Sequence, residues 1–161
     1  MATDTRIKEL LNSIQEAFDG NPWYGISVME KLNSIDWYSA NAVPRDGKKS
    51  VAQLLGHMIN WRVFVLKKLQ GATDFDIEMN SESDWPQIEI KNEEDWNQLR
   101  TELQQTQLEL VRLLANFQDN WLDTTVPGKD YDFRHLVDGI CQHDIYHLGQ
   151  IGLIQGMSKT D

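Results

Sequence analysis

The sequence predicts an all-α fold, a four-helix bundle with a short extra helical segment after the first helix. Three observations carry this. Apolar residues return at spacings of three and four in four long stretches. Helix-capping residues and glycines fall at the edges of those stretches. No window alternates apolar and polar residues with a period of two between turn signals, so no sheet is expected. A length of 161 residues suits one domain, 1–161, able to bury a sizeable core unaided.

The first helix is expected from about Asp4 to Asp19, on the recurrence of Ile7, Leu10, Leu11, Ile14 and Phe18, with Gly20 ending it. Asn21-Pro22 reads as a cap with proline in the first helical position, restarting a helix through Ile26, Met29 and Leu32. Gly25 weakens that segment and leaves a kink or a stop open. Asp36 to Lys49 holds Pro44, Asp46 and Gly47 and reads as a loop. Ser50 with Gln53 forms a capping box for a helix running to about Leu69, before Gly71. Its apolar stripe is Val51, Leu54, Leu55, Met58, Trp61, Val65 and Leu69.

A third long helix begins near Asn92. Trp96, Leu99, Leu103, Thr106, Leu110, Leu113 and Phe117 make a seam for left-handed bundle packing, with Thr106 its one polar member. A loop at Pro127-Gly128 leads to Asp132, which caps a last helix from Phe133 to about Ile154.

Hydrophobic residues at 40% and charged residues at 25% are an ordinary globular balance. The single cysteine, Cys141, excludes an internal disulfide and reads as a small core hydrophobe. With no apolar leader and no stretch near the roughly 18 apolar residues of a membrane span, a soluble, cytoplasmic chain is expected. Of the net charge of −10, residues 71–95 carry −8, from nine acids and Lys91. Such a surface repels nucleic acid. It is either a solvated acidic loop running into a helix N-terminus or a cation-binding patch.

Four histidines are present: His57, His135, His143 and His147. His143 and His147, spaced i, i+4, share a helix face with Leu136, Ile140 and Ile154, directed at the core. Two neutral imidazoles buried together need partners for their ring nitrogens, and one metal ion supplies them. His57, beside Trp61 on another helix, supplies a third ligand in the manner of bundle metal sites. On spacing alone, a hydrogen-bonded histidine cluster near the bundle mouth stays equally open. His135 lies well round the helical wheel and reads as a surface residue or a support to the ligands.

Three neutral histidines leave coordination positions free, as in catalytic sites rather than closed structural ones. Zinc, nickel, iron and manganese all suit imidazole. His143-Asp144-Ile145-Tyr146-His147 is similar to H-E-x-x-H with Asp in place of Glu. Asp144 is then a general base, a support to the ligands or a surface acid. With no downstream third ligand, the motif does not read as a protease.

At these residues the chain resembles the DinB/YfiT-like superfamily of metal-binding helical bundles. The carriers are Phe133 through Ile151, Gly56-His57-Met58-Ile59-Asn60-Trp61-Arg62, and smaller echoes at Asn21-Pro22-Trp23-Tyr24-Gly25, Asp84-Trp85-Pro86 and Trp96. The resemblance implies metal ligands at His57, His143 and His147. It also implies homodimers, and Gly149, Gly152 and Gly156 would permit close approach to a neighbouring helix or to a partner chain. Tyr24 stands where relatives often have histidine.

For activity the resemblance implies a metal-dependent enzyme acting on a small molecule. It would activate a low-molecular-weight thiol, as an S-transferase does, or water, as a hydrolase does. The thiol is favoured because no general base is evident beside the ligands. The alternative is a non-catalytic, metal-stabilised stress-response binding or interaction module. Arg45, Lys48 and Lys49 are either an anion-receiving cluster or a solvated loop. Of six tryptophans, Trp37, Trp85 and Trp121 fall in loops, docked on the core or lining a pocket mouth.

Overall fold

The chain is all-helical in a computed structural model that describes residues 5–43, 47 and 49–157. The helices are α1 (Thr5–Asp19), α2 (Val28–Asn33), α3 (Trp37–Ala40), α4 (Val51–Leu69), α5 (Glu93–Leu114) and α6 (Phe133–Met157), with a 3-10 turn at Asp119–Asp123 before α6. The expected N-terminal start at Asp4 lies outside the described residues. No strand occurs among them.

Four long helices, α1, α4, α5 and α6, make the bundle, and its core falls into two apolar clusters. One joins the N-terminal half of α4 to that of α5 and to the C-terminal end of α6, around Leu55, Met58, Trp96, Leu103 and Ile151. The other joins Ile7, Leu10 and Ile14 of α1 to the C-terminal halves of α4 and α5 and the N-terminal half of α6. α4 and α5 therefore run in the same direction, with α1 and α6 opposed. Two successive parallel helices need a long return, which is residues 70–92.

That return packs against α4 at Gly56. A Cβ there would stand 2.1 Å from Ile88 Cδ1 and 2.9 Å from Pro86 Cγ, so any larger residue would make these two loop side chains shift. Gly56 precedes His57, and the same loop carries Asp84 and Trp85 over it.

The helical segment expected from Pro22 begins instead at Val28. Gly25 adopts φ +126°, which stops the chain rather than kinking it. Ser27 caps α2 by accepting from the Glu30 amide. Within the expected loop from Asp36, that residue caps the single turn of α3. The Ser50–Gln53 capping box forms in both directions. α5 ends at Leu114, and its buried face passes through Gln107 and Leu114, because a 3.6-residue helix drifts off a 3.5-residue seam.

Candidate metal centre

Between the two apolar clusters lies a polar belt of His57 and Arg62 on α4, Thr106 and Gln107 on α5, and Asp144 and His147 on α6, all buried. His143 joins it, half-buried. The i, i+4 spacing on α6 stacks His143 and His147 a turn apart, and α4 brings His57 opposite.

The three rings meet through their Nε2 atoms. His143 Nε2 lies 3.0 Å from His57 Nε2 and 3.1 Å from His147 Nε2. The other nitrogens identify the tautomers. His57 Nδ1 stands 2.8 Å from the Asp84 carbonyl oxygen and 3.1 Å from Asp84 Oδ1. His147 Nδ1 is 2.6 Å from Gln150 Oε1. These neighbours are acceptors, so each Nδ1 carries the proton and each Nε2 presents a lone pair.

His143 Nε2 can donate one proton to two lone pairs, and its buried Nδ1 has no hydrogen-bond partner. Burial, then the neighbouring imidazoles of His147 and His57, pushes His143 down to about 3. Burial also lowers His57 and His147. Three neutral imidazoles whose Nε2 atoms converge, with one proton between two lone pairs, are poorly satisfied by one another and well satisfied by a cation once His143 moves its proton to Nδ1.

The spacing fits as well. Nitrogens about 2.0–2.1 Å from one tetrahedral ion stand about 3.3 Å apart. One ligand atom from each of His57, His143 and His147 lies within 4.8 Å of the others, and among the described residues no other His, Cys, Asp and Glu group gathers this way. Among the described residues the acidic stretch gathers no such group; Glu93, Glu94 and Asp95 lie in the first turn of α5, and Asp76 pairs with Lys129 at 2.6 Å.

Asp84 is the exception within that stretch and the site residue that sequence reasoning missed. Its carboxylate accepts from Trp61 Nε1 and from the Asn80 amide, both at 2.9 Å. Burial pushes the carboxyl up, but those hydrogen bonds and the nearby histidines outweigh burial and hold it below its ordinary value. Carboxylate partners of this kind orient metal-ligating imidazoles. Asp84→Ala is expected to weaken zinc binding about 10–100-fold in competition with a chromophoric chelator. Unchanged affinity would mean that the Asp84 carbonyl alone orients His57.

Trp85 stacks on His57, with ring centroids 3.8 Å apart, and Lys49 caps the indole at 4.7 Å. Lys48 and Arg45 lie outside the described residues. Of the loop tryptophans, Trp85 lines a cavity of about 450 Å3 that opens on the triad. Trp121 is instead stacked between Phe117 and Phe133, and Trp37 packs against the core.

His135 lines that cavity too, so its angle on the wheel understates its nearness. Asp144 is neither a surface acid nor a free base: Arg62 Nε and Nη2 both donate to its Oδ2, at 3.0 and 2.6 Å. Cys141 packs at the core margin, with burial raising its thiol to about 11. Tyr24 is half-exposed; burial and the nearby Cys141 and Asp144 raise its hydroxyl. A Cβ at Gly149, Gly152 or Gly156 meets nothing within 4 Å, so these glycines serve no close approach to a neighbouring helix among the described residues.

An all-helical bundle whose α4 and α6 present three neutral imidazoles to one point is a bundle with a candidate three-histidine metal site. Among the described residues no helix is long and apolar enough to cross a membrane. The family model of the DinB superfamily matches residues 30–151, and the chain belongs to that superfamily. No curated protein and no solved structure matches it.

Proposed function

We propose that the chain holds one divalent ion, zinc or nickel ahead of iron or manganese, on His57, His143 and His147, and acts as a metal-dependent enzyme on a small molecule. The observation that carries this is the pair of lone pairs, fixed by Nδ1 protons on His57 and His147, aimed at His143 Nε2. Such an ion, when bound, lowers the pKa of a thiol or a water at its open position and so supplies a nucleophile at neutral pH. The chain's own residues orient the ligands: Asp84 and Trp85 hold His57, and Gln150 holds His147. A low-molecular-weight thiol is favoured over water, because Asp84 is engaged by Trp61 and Asp144 is paired with Arg62, so that no unpaired carboxylate stands beside the triad among the described residues. The adjoining cavity favours an enzyme over a non-catalytic module, whose structural metal is usually closed by four ligands.

Elemental analysis of the purified chain is expected to give about one divalent ion per chain, with a cobalt-substituted spectrum that shifts when thiol is added. One ion with no response to any thiol would transfer the reading to the metal-stabilised module. No ion after incubation with zinc or nickel would overturn both.

A further inference from the structure

The cavity on the triad has a chemical character of its own. Its walls include Trp61, Phe64, Val65, Leu136 and Ile140, and no lysine or arginine is among its described lining residues. Asp84, its one carboxylate, is engaged by His57, Trp61 and Asn80. Lys49 lies instead in a separate polar recess with Ser81 and Gln87, on the other side of Trp85. Away from the triad, a charged group entering the main cavity would lose its hydration and find no lysine or arginine among the described lining residues to pair with.

The floor of the cavity is made by an absence of side chain. Gly139 sits one turn before His143, and a Cβ built on it meets nothing within 4 Å. One turn earlier is His135, its ring 5.2 Å from that of Tyr131. Two helical turns separate His135 from His143, about 12 Å along α6. Polar groups thus stand at both ends of an apolar trough, and its volume of about 450 Å3 is that of a small-ligand site.

We infer that this trough takes a molecule with an uncharged, predominantly aromatic or aliphatic body, its metal-binding group at the triad and a hydrogen-bonding group at the His135 end. The inference rests on the metal-site reading above and adds the charge, polarity and length of the substrate.

Three hydroxamates with the same metal-binding head separate the two readings in the cobalt-loaded full chain: acetohydroxamate, 4-phenylbutanohydroxamate and suberic monohydroxamate. The phenyl compound is expected to bind at least about tenfold tighter than acetohydroxamate, since its tail buries apolar surface. Suberic monohydroxamate, whose far end is a carboxylate, is expected to bind no tighter than acetohydroxamate. In Gly139→Leu the phenyl advantage falls to about one, because the leucine fills the trough. Equal gains from the charged and the neutral tails, or no gain from either, would overturn the inference. If no hydroxamate alters the cobalt spectrum, it is the metal-site reading that fails. Calorimetry of the metal-free chain then decides the trough by itself: binding of 4-phenylbutanamide but not of 4-carboxybutanamide supports it, and binding of both or neither refutes it.

Discussion

Replacing His143 by alanine is expected to abolish metal binding while leaving the metal-free bundle as stable as before. His143 is the hub of the triad, since both other Nε2 atoms lie within 3.1 Å of its own. Its removal leaves two ligands, one from each helix. The hydrogen bonds stripped are only those its Nε2 shares with His57 and His147, whose lone pairs then face the open cavity and its water, and its Nδ1 has no partner to lose. The truncation enlarges a cavity that is already open, so little packing is forfeited. Wild-type protein with zinc at about 1,000 times its Kd should gain about 4 kcal/mol over its metal-free form, and His143→Ala should gain nothing. Melting curves of both proteins with and without zinc give this directly. A variant that melts far below metal-free wild type would instead assign His143 to holding the bundle together.

Arg62→Ala is expected to cost about 3–5 kcal/mol in chemical denaturation. Arg62 and Asp144 are 2% and 3% exposed. The guanidinium reaches all four long helices: it is borne by α4, donates to Asp144 on α6 and to Gln107 on α5 at 2.9 Å, and lies 4.7 Å from the Phe18 ring on α1. Alanine would leave the Asp144 carboxylate buried without a counter-charge, which is the costly way to break a buried pair. Burial already pushes that carboxyl up, and the guanidinium opposes the push. The double variant Arg62→Met, Asp144→Leu should recover most of the loss, because it removes both charges and keeps the volume. A loss below about 1 kcal/mol for Arg62→Ala would mean that water reaches the pair and replaces the arginine.

The long helices and the three histidines were legible because both are periodic: amphipathic stripes repeat every three or four residues, and His143 with His147 repeats within one turn. The capping box at Ser50 was legible for a similar reason, as a local pattern with a local cause. Ser27-Val28-Met29-Glu30 holds the same signature, and it marks the start of α2 better than Asn21-Pro22 did. Trp85 was legible only as one of three loop tryptophans that could line a pocket mouth, and Asp84 was not legible as part of the site. They sit in a connection with no period, and only the closure of that connection on Gly56 brings them to His57. Arg62 hid within an apolar stripe, where a long cationic side chain reads as surface until its buried partner is known. His135 is exposed, as its angle on the wheel indicates, but a wheel projects away the axis of α6 and so does not show that it also lines the cavity.

The two helices that present the triad are far apart along the chain. An ion shared by His57 and His143 would tie together positions 86 residues apart, a clasp comparable in span to a long-range disulfide, for which the loss of unfolded-state freedom is about 4–5 kcal/mol. With one cysteine, the chain has no thiol pair of its own for such a fastening. The durability of its fold would then follow the supply of metal ions and not the redox balance around it: reductants would leave the clasp shut, whereas chelators and acid would open it.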